Sequence, residues 1–158
     1  NQVVPYDWAG FFRQRLDSTG PIPPLGGIEA GGWKYVLDGV EAGGAGDLAY
    51  SVGLTVGADG TVADSIMTGP AYKAGVVPGM KILGVNGRVY TRERLDDAVI
   101  GSGSSSSPIE LLVENDDYYK TCLVDYHSGP KAPRLERDNS KSDYLDQLLQ
   151  PLAAHPEP

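Results

Sequence analysis

The first third of the chain changes from a helical to an extended apolar pattern. Four apolar residues recur at helical spacing within residues 5–17: Trp8, Phe11, Phe12 and Leu16. The spacing predicts a helix with Asp7 as its N-cap or dipole partner. The proline-rich run STGPIPPLGG ends that helix. The run GWKYVLDG then predicts a strand with three residues on one face: Trp33, Tyr35 and Leu37.

From residue 48 onward, the signals for strands and turns become regular. Six stretches predict strands: 48–57, 61–67, 80–85, 88–90, 108–115 and 118–126. Between them, GPAYKAGV predicts a short helical turn, and Asn86-Gly87 is a strong hairpin signal. Thr91 is placed to cap a helix over 92–101. The serine-rich run SGSSSS predicts a loop before a closing hairpin around Asp116 and Asp117.

The last thirty residues are polar and rich in proline. Four residues there predict one or two turns of amphipathic helix: Tyr144, Leu145, Leu148 and Leu149. Alternating strands and isolated helices of this kind predict the α+β class. The chain has 21 Gly and 12 Pro, which favours a turn-rich fold over a helical bundle.

Charge narrows the range of partners. The formal net charge is −8, and 41% of the 158 residues are hydrophobic, which is enough for a packed core. We therefore expect neither a nucleic acid nor an anionic membrane surface as partner, because both require clustered Lys and Arg. No apolar run reaches the roughly 18 residues of a membrane helix. Because the sequence starts NQVV, we interpret it as a fragment or a processed product.

The residues with reactive side chains give little sign of catalysis. Cys122 lies in an alternating apolar stretch and is expected to be a buried, inert thiol. His127 and His155 are far apart in sequence, so we expect no zinc site built from this chain alone. A serine triad would need His127 as base, but no serine lies in a nucleophile-elbow context. We expect no catalytic residue here.

Three motifs resemble cofactor-binding or nucleophile motifs, but the residues around each of them do not fit that function. Gly44-x-Gly46 resembles a dinucleotide fingerprint, but a strand is predicted after it where the motif requires a helix. The spacing Gly79-x-x-x-x-Gly84 lacks the following Lys and Ser/Thr of a phosphate loop. The run SGPK contains Gly-Pro, which prevents the helix that would align a Ser–Lys pair. We expect no cofactor in this chain.

Residues 48–127 resemble a PDZ domain of the bacterial kind. The resemblance rests on YSVGLTV, on SIMTGPAYKAGVVPGMKILGVNGRVY, on the helix from Thr91 to Ile100, and on the closing hairpin. It implies a partly open antiparallel β-barrel or sandwich capped by two helices. We expect residues 1–47 to form a helix-and-strand extension and residues 128–158 a polar tail with a short helix.

The flanking segments resemble the C-terminal portion of M61-type glycyl aminopeptidases. The runs that carry this are VPYDWAGFFRQRLDSTGPIP, GWKYVL, VDYHSGPKAPRLERD and, near the end of the chain, DYLDQLL. The family implies a zinc-dependent exopeptidase that prefers small N-terminal residues such as Gly or Ala. Its zinc-binding HExxH helix is absent here, so any zinc belongs to a separate catalytic domain. The single cysteine is compatible with the bacterial periplasm and cytoplasm alike, and we favour the periplasm slightly.

The PDZ resemblance implies a groove that binds a peptide or protein C-terminus by strand addition. Its predicted residues are Val52, Gly53, Leu54, Thr55, Val56, Arg92 and Asp96. We expect the amides of Gly53 and Leu54 to receive the terminal carboxylate, and Thr55 and Val56 to pair with the peptide. The alternative is a docking scaffold without a peptide ligand, which binds its own catalytic domain through four aromatic residues: Trp8, Phe11, Phe12 and Trp33.

Overall fold

The computed structural model describes residues 6–18, 25–38, 40 and 48–150. The chain divides into two compact units: Asn1–Tyr35 with Leu135–Pro158, and Val36–Arg134. The first unit therefore joins the two ends of the chain, a grouping that the sequence did not predict. The predicted boundaries at 47/48 and 127/128 differ from this division.

The second unit contains most of the strands. β2 (Leu54–Val56) pairs antiparallel with β3 (Val62–Ser65) in a two-stranded sheet. A four-stranded antiparallel sheet has the order β5-β4-β6-β7. Its strands are β4 (Lys81–Val85), β5 (Arg88–Val89), β6 (Ile109–Asn115) and β7 (Tyr118–Val124). The α+β class is confirmed, and the described strands form separate sheets without a closed barrel.

Three helices complete this unit: α3 (Leu48–Ser51), α4 (Pro70–Lys73) and α5 (Arg92–Ser102). The side chain of Thr91 accepts a hydrogen bond from the Arg94 amide at 3.2 Å, which confirms the predicted cap of α5. Asn86 and Gly87 both have positive φ angles, of 49° and 73°, as the predicted hairpin turn between β4 and β5 requires.

The prediction of a strand over residues 48–57 is wrong in its first half. Residues Leu48–Ser51 form α3, and β2 covers only Leu54–Val56. The alternating pattern there has a different cause, because Leu48 and Val52 both point into the core from a helical turn and its exit. A short apolar run fits helix and strand equally well, and packing decides between them.

All buried hydrophobic residues of the described chain lie between residues 48 and 126. The largest fully buried ones include Leu48, Leu54, Ile82, Leu95 and Leu111. They form one cluster, to which β2, α5 and the four-stranded sheet all contribute. Cys122 belongs to it, as predicted, and burial raises the pKa of its thiol.

The first unit contains α1 (Trp8–Asp17), α2 (Gly26–Ala30) and α6 (Tyr144–Leu149). The Asp7 side chain caps α1 by accepting from the Gly10 amide at 2.9 Å, as predicted. Two further strands, β1 (Trp33–Asp38) and β8 (Ala132–Arg137), pair with each other, and the chain passes from one unit to the other within each strand. The sequence predicted β1 but not β8.

Polar contacts hold the described part of the first unit together. Asp138 is buried and accepts from the Ser140 hydroxyl at 2.6 Å. The Trp33 indole N–H donates to the Asp143 carboxylate at 3.0 Å, and Arg137 Nε lies 3.1 Å from the same carboxylate. No described hydrophobic side chain of this unit is fully buried. Hydrogen bonds and ion pairs therefore connect the described segments of this unit.

Candidate functional site

The loop before β2 is fixed by its own backbone hydrogen bonds. The Gly53 N–H donates to the Leu48 carbonyl at 2.8 Å, and the Gly53 carbonyl accepts from the Ile66 amide at 2.9 Å. The Val52 carbonyl accepts from the Ala71 amide at 3.0 Å, and the Val52 side chain is buried. The loop is therefore preformed, but the amide predicted at Gly53 as a carboxylate donor is already used inside it.

Gly53 occupies a position that only glycine fits well. Its φ angle is +81°, and a Cβ there would lie 3.2 Å from the Cα of Gly69. A side chain would therefore meet the backbone of the next loop in addition to adopting a strained φ. The glycine allows the sharp turn that delivers the chain into β2.

One edge of β2 has no strand partner among the described residues. Leu54 lies opposite Ser65, and Thr55 lies opposite Asp64. Because the Ile66 amide donates to the Gly53 carbonyl, the alternation of an antiparallel ladder directs the polar groups of Thr55 toward β3 and those of Leu54 away from it. Leu54 thus remains the predicted donor for a ligand, whereas Thr55 does not point its backbone toward an incoming strand.

The C-terminal end of β2, where Val56 was predicted to pair with the peptide, is irregular. The register shifts between Thr55 and Val56, so that Val56 pairs with Val62. The Gly57 amide then donates to the Thr61 carbonyl at 2.8 Å and closes the hairpin. Such an irregularity limits how far a further strand can pair along β2.

The helix α5 presents a buried stripe flanked by polar residues. Leu95 and Val99 are almost fully buried, and Ala98 packs against the core at the edge of the stripe. Arg92 and Asp96 lie on one flank, where Arg92 Nε is 2.9 and 3.1 Å from the two carboxylate oxygens of Asp96. The two predicted site residues therefore pair with each other. Their mutual pairing leaves the outer N–H groups of the guanidinium as donors on this flank.

Tyr90, directly before the cap of α5, was not predicted from the sequence. Its hydroxyl is the only buried side-chain polar atom without a hydrogen-bond partner in the part of the chain that the structure describes. The ring lies against the backbone of Gly60, and burial raises the pKa of Tyr90. Arg92, Asp96 and Asp59 exert their charges on it. No sequence pattern signals an unpaired hydroxyl, because its environment includes residues about thirty positions away in the chain, such as Asp59 and Gly60.

Two adjoining clefts lie along the opposite flank of α5. Their volumes are about 340 and 310 Å³, and both are lined by Asn86, Asp97 and Ala98. The second cleft also includes Ser105 and Ser107 from the loop after the helix. The clefts therefore lie on the flank of α5 opposite the predicted site residues Arg92 and Asp96.

The described residues offer no set of three metal-ligating side chains close together. None of the described helices is long and apolar enough to cross a membrane.

Comparison with known proteins supports the fold. The search found no matching family model and no matching curated protein. An aminopeptidase N family protein from Idiomarina loihiensis aligns with 95% of this chain at a TM-score of 0.59 and 14% identity. The chain spans 27% of the length of that protein. The PDZ domain of HtrA3, solved with the phage-derived ligand FGRWV, aligns with 69% of this chain and 95% of its own length at 18% identity. Its TM-score of 0.37 is too low to support a conclusion.

Proposed function

We propose that the second unit is a PDZ-like module that binds an extended peptide by adding it to the free edge of β2. The observation that carries the proposal is the outward direction of the Leu54 backbone on an edge that no described strand covers. Strand addition uses such unpaired N–H and C=O groups as a template. A preformed loop around Gly53 would lower the entropic cost of binding.

The geometry implies weak binding. β2 has three residues, and alternate residues point their polar groups outward. About two or three backbone hydrogen bonds contribute roughly 1 kcal/mol each. Burial of a terminal apolar side chain adds about 2 kcal/mol. Together they correspond to a dissociation constant of about 0.1–1 mM, which suits a module that recruits substrate or regulates an attached peptidase.

An N-methyl scan of the peptide tests strand addition directly. A C-terminal peptide library is first titrated against the ¹⁵N-labelled chain, and the best ligand is then N-methylated at one amide at a time. We expect loss of binding at every second position, because only alternate amides face β2. The Leu54 amide should shift in each productive titration, and a C-terminally amidated peptide shows whether the carboxylate is needed. No shift at millimolar peptide, or uniform tolerance of N-methylation, would refute the proposal.

The proposed parent protein is a zinc-dependent aminopeptidase of the M61 type with a preference for N-terminal Gly or Ala. The likeness in fold to part of an aminopeptidase N family protein supports an association with a peptidase. The substrate preference and the zinc rest on the sequence resemblance alone. The longer polypeptide should contain an HExxH helix, and its absence from the encoding gene would contradict this assignment.

A second candidate function is docking of the first unit onto a peptidase domain. Its support is the exposed aromatic face of α1, where no residue is buried and where Trp8 and Phe12 are 45% and 57% exposed. Phe11 packs edge-to-face against the rings of both Trp8 and Phe12. Trp33, which the sequence also suggested, is held by Asp143 instead.

Binding to a separately produced peptidase domain, measured by calorimetry, tests this docking. Replacing Trp8 and Phe12 by Ser should weaken binding strongly, because truncating buried aromatic anchors costs most of an interface's energy. Arg13→Ser, on the same helix, is the matched control. Equal affinities for both variants would exclude the aromatic face as the contact.

A further inference from the structure

His127 lies between two groups that can only accept hydrogen bonds. Its Nδ1 is 2.8 Å from the Ser105 carbonyl oxygen, and its Nε2 is 2.8 Å from a carboxylate oxygen of Asp125. A neutral imidazole carries one N–H and can satisfy one of these acceptors, whereas an imidazolium carries two and satisfies both. The arrangement therefore favours the protonated ring. The side chain is 39% exposed, so it can exchange its proton with solvent.

The Ser105 carbonyl belongs to the serine loop, residues 103–107, which follows α5. The other hydrogen bonds of this loop are local: the Ser105 amide donates to the Ser102 carbonyl at 3.4 Å, and the Ser107 amide to the Ser105 hydroxyl at 3.1 Å. The end of α5 is anchored separately, because the Ser102 hydroxyl accepts from the Gly129 amide. Among the hydrogen bonds of the described residues, the one from His127 to the Ser105 carbonyl therefore connects the middle of the loop to a distant part of the unit.

We propose that His127 is a proton-controlled clamp, which holds the serine loop against the final segment of the domain when the ring is charged. When the ring is neutral it releases the loop, because its one remaining N–H is donated to the charged acceptor Asp125, whose hydrogen bond is the stronger of the two. Ser105 and Ser107 line the cleft of about 310 Å³ beside α5. Release of the loop would therefore change the shape of that cleft. This inference is independent of peptide binding at β2.

The direction of the pH dependence follows from the charges around the ring. The hydrogen bond to Asp125 raises the pKa of His127, and the bond to the Ser105 carbonyl adds to the rise. Asp125 is the titratable group that acts on the ring, since the serine loop and the last turn of α5 contain only Ser, Gly and apolar residues. The clamp is fully closed below the ordinary pKa of about 6.5. It opens as the pH rises through the higher value of the folded protein.

A single NMR titration of the full chain tests the clamp. In a His155→Gln background, the ring of His127 and the amides of Ser105 and Ser107 are followed from pH 5 to 9. We expect the loop amides to shift with the same midpoint as the ring. Their exchange protection, corrected for intrinsic rates, should fall by about two- to fivefold above that midpoint, the range of an exposed charged hydrogen bond.

Two variants distinguish a histidine that controls the loop from one that titrates without affecting it. Asp125→Asn keeps an acceptor but removes the charge, so the midpoint of His127 should fall and the loop amides should follow it. His127→Gln should abolish the pH-dependent shift of the loop, while unchanged core amides such as Val99 show that the fold is intact. The proposal would be overturned if the chemical shifts of the loop amides stayed constant while the ring titrates, or if the midpoint of His127 were unchanged in Asp125→Asn.

Discussion

Replacing Gly53 by alanine separates two reasons for a glycine, the backbone angle and the nearby chain. Gly53 and Gly79 have similar φ angles, +81° and +91°. They differ in their surroundings, because a Cβ at 53 would lie 3.2 Å from the Gly69 Cα, whereas one at 79 would have nothing within 4 Å. Gly79→Ala therefore measures the strain of the angle alone, and Gly53→Ala measures that strain plus the displacement of Gly69.

The expected magnitudes follow from those two terms. An alanine forced to positive φ costs about 1 kcal/mol. Moving a backbone segment by a few tenths of an ångström adds about another 1 kcal/mol. In a domain of this size, 1 kcal/mol lowers Tm by about 4–8 °C. We expect Gly79→Ala to lower the free energy of unfolding by about 1 kcal/mol and Gly53→Ala to lower it by about 2 kcal/mol.

Urea unfolding at constant m-value and thermal unfolding provide the measurement. The same two variants are then titrated with the peptide ligand selected for the wild-type chain. Gly53→Ala should weaken binding, because its loop delivers the chain to Leu54, while Gly79→Ala should bind normally. Equal losses of stability in the two variants would show that the contact with Gly69 contributes nothing and would refute the reasoning.

Three further outcomes follow from single contacts. Tyr90→Phe should leave stability unchanged or raise it by up to about 1 kcal/mol in urea unfolding, since its buried hydroxyl has no partner; a clear loss would contradict that. Ser102→Ala should cost about 1–2 kcal/mol, because it leaves the Gly129 amide without its acceptor. The Asp146 amide and the Trp33 indole lower the pKa of Asp143, so the stability they contribute is present above pH 4 and lost as the pH falls through the folded value. Trp33 fluorescence, in a variant whose other tryptophan is Phe, should report that acid transition and should not change between pH 5 and 7.

Much of the secondary structure could be predicted because its causes lie within a few residues. Asp7 caps α1 through an amide three residues away, and Thr91 caps α5 in the same manner. Asn86-Gly87 forms its turn because both residues tolerate positive φ. The buried stripe of Leu95 and Val99 likewise follows from helical periodicity. The sequence determined these elements and, with them, the α+β class.

The candidate site depended on distant parts of the chain. The Gly53 amide is taken by Leu48 because residues 48–51 coil into α3, and the local pattern fits a strand just as well. Which groups of β2 face outward depends on its register with β3. A shift of one residue would reverse them, and the sum of packing contacts selects the register.

The structure differs most from the sequence-based predictions where residues that are distant in the chain come into contact. Strand β8 exists because it pairs with β1, about one hundred residues earlier; half of its own residues are charged, and most of them are exposed. The hydroxyl of Tyr90 lacks a partner, and the ring of His127 lies between two hydrogen-bond acceptors. Both features follow from where the residue lies in the fold and not from its type. The sequence by itself thus determined the local elements and the edge strand at which a ligand is expected. Only the tertiary structure decided which backbone and side-chain groups at that edge are free, because hydrogen-bond partners are allotted by long-range packing.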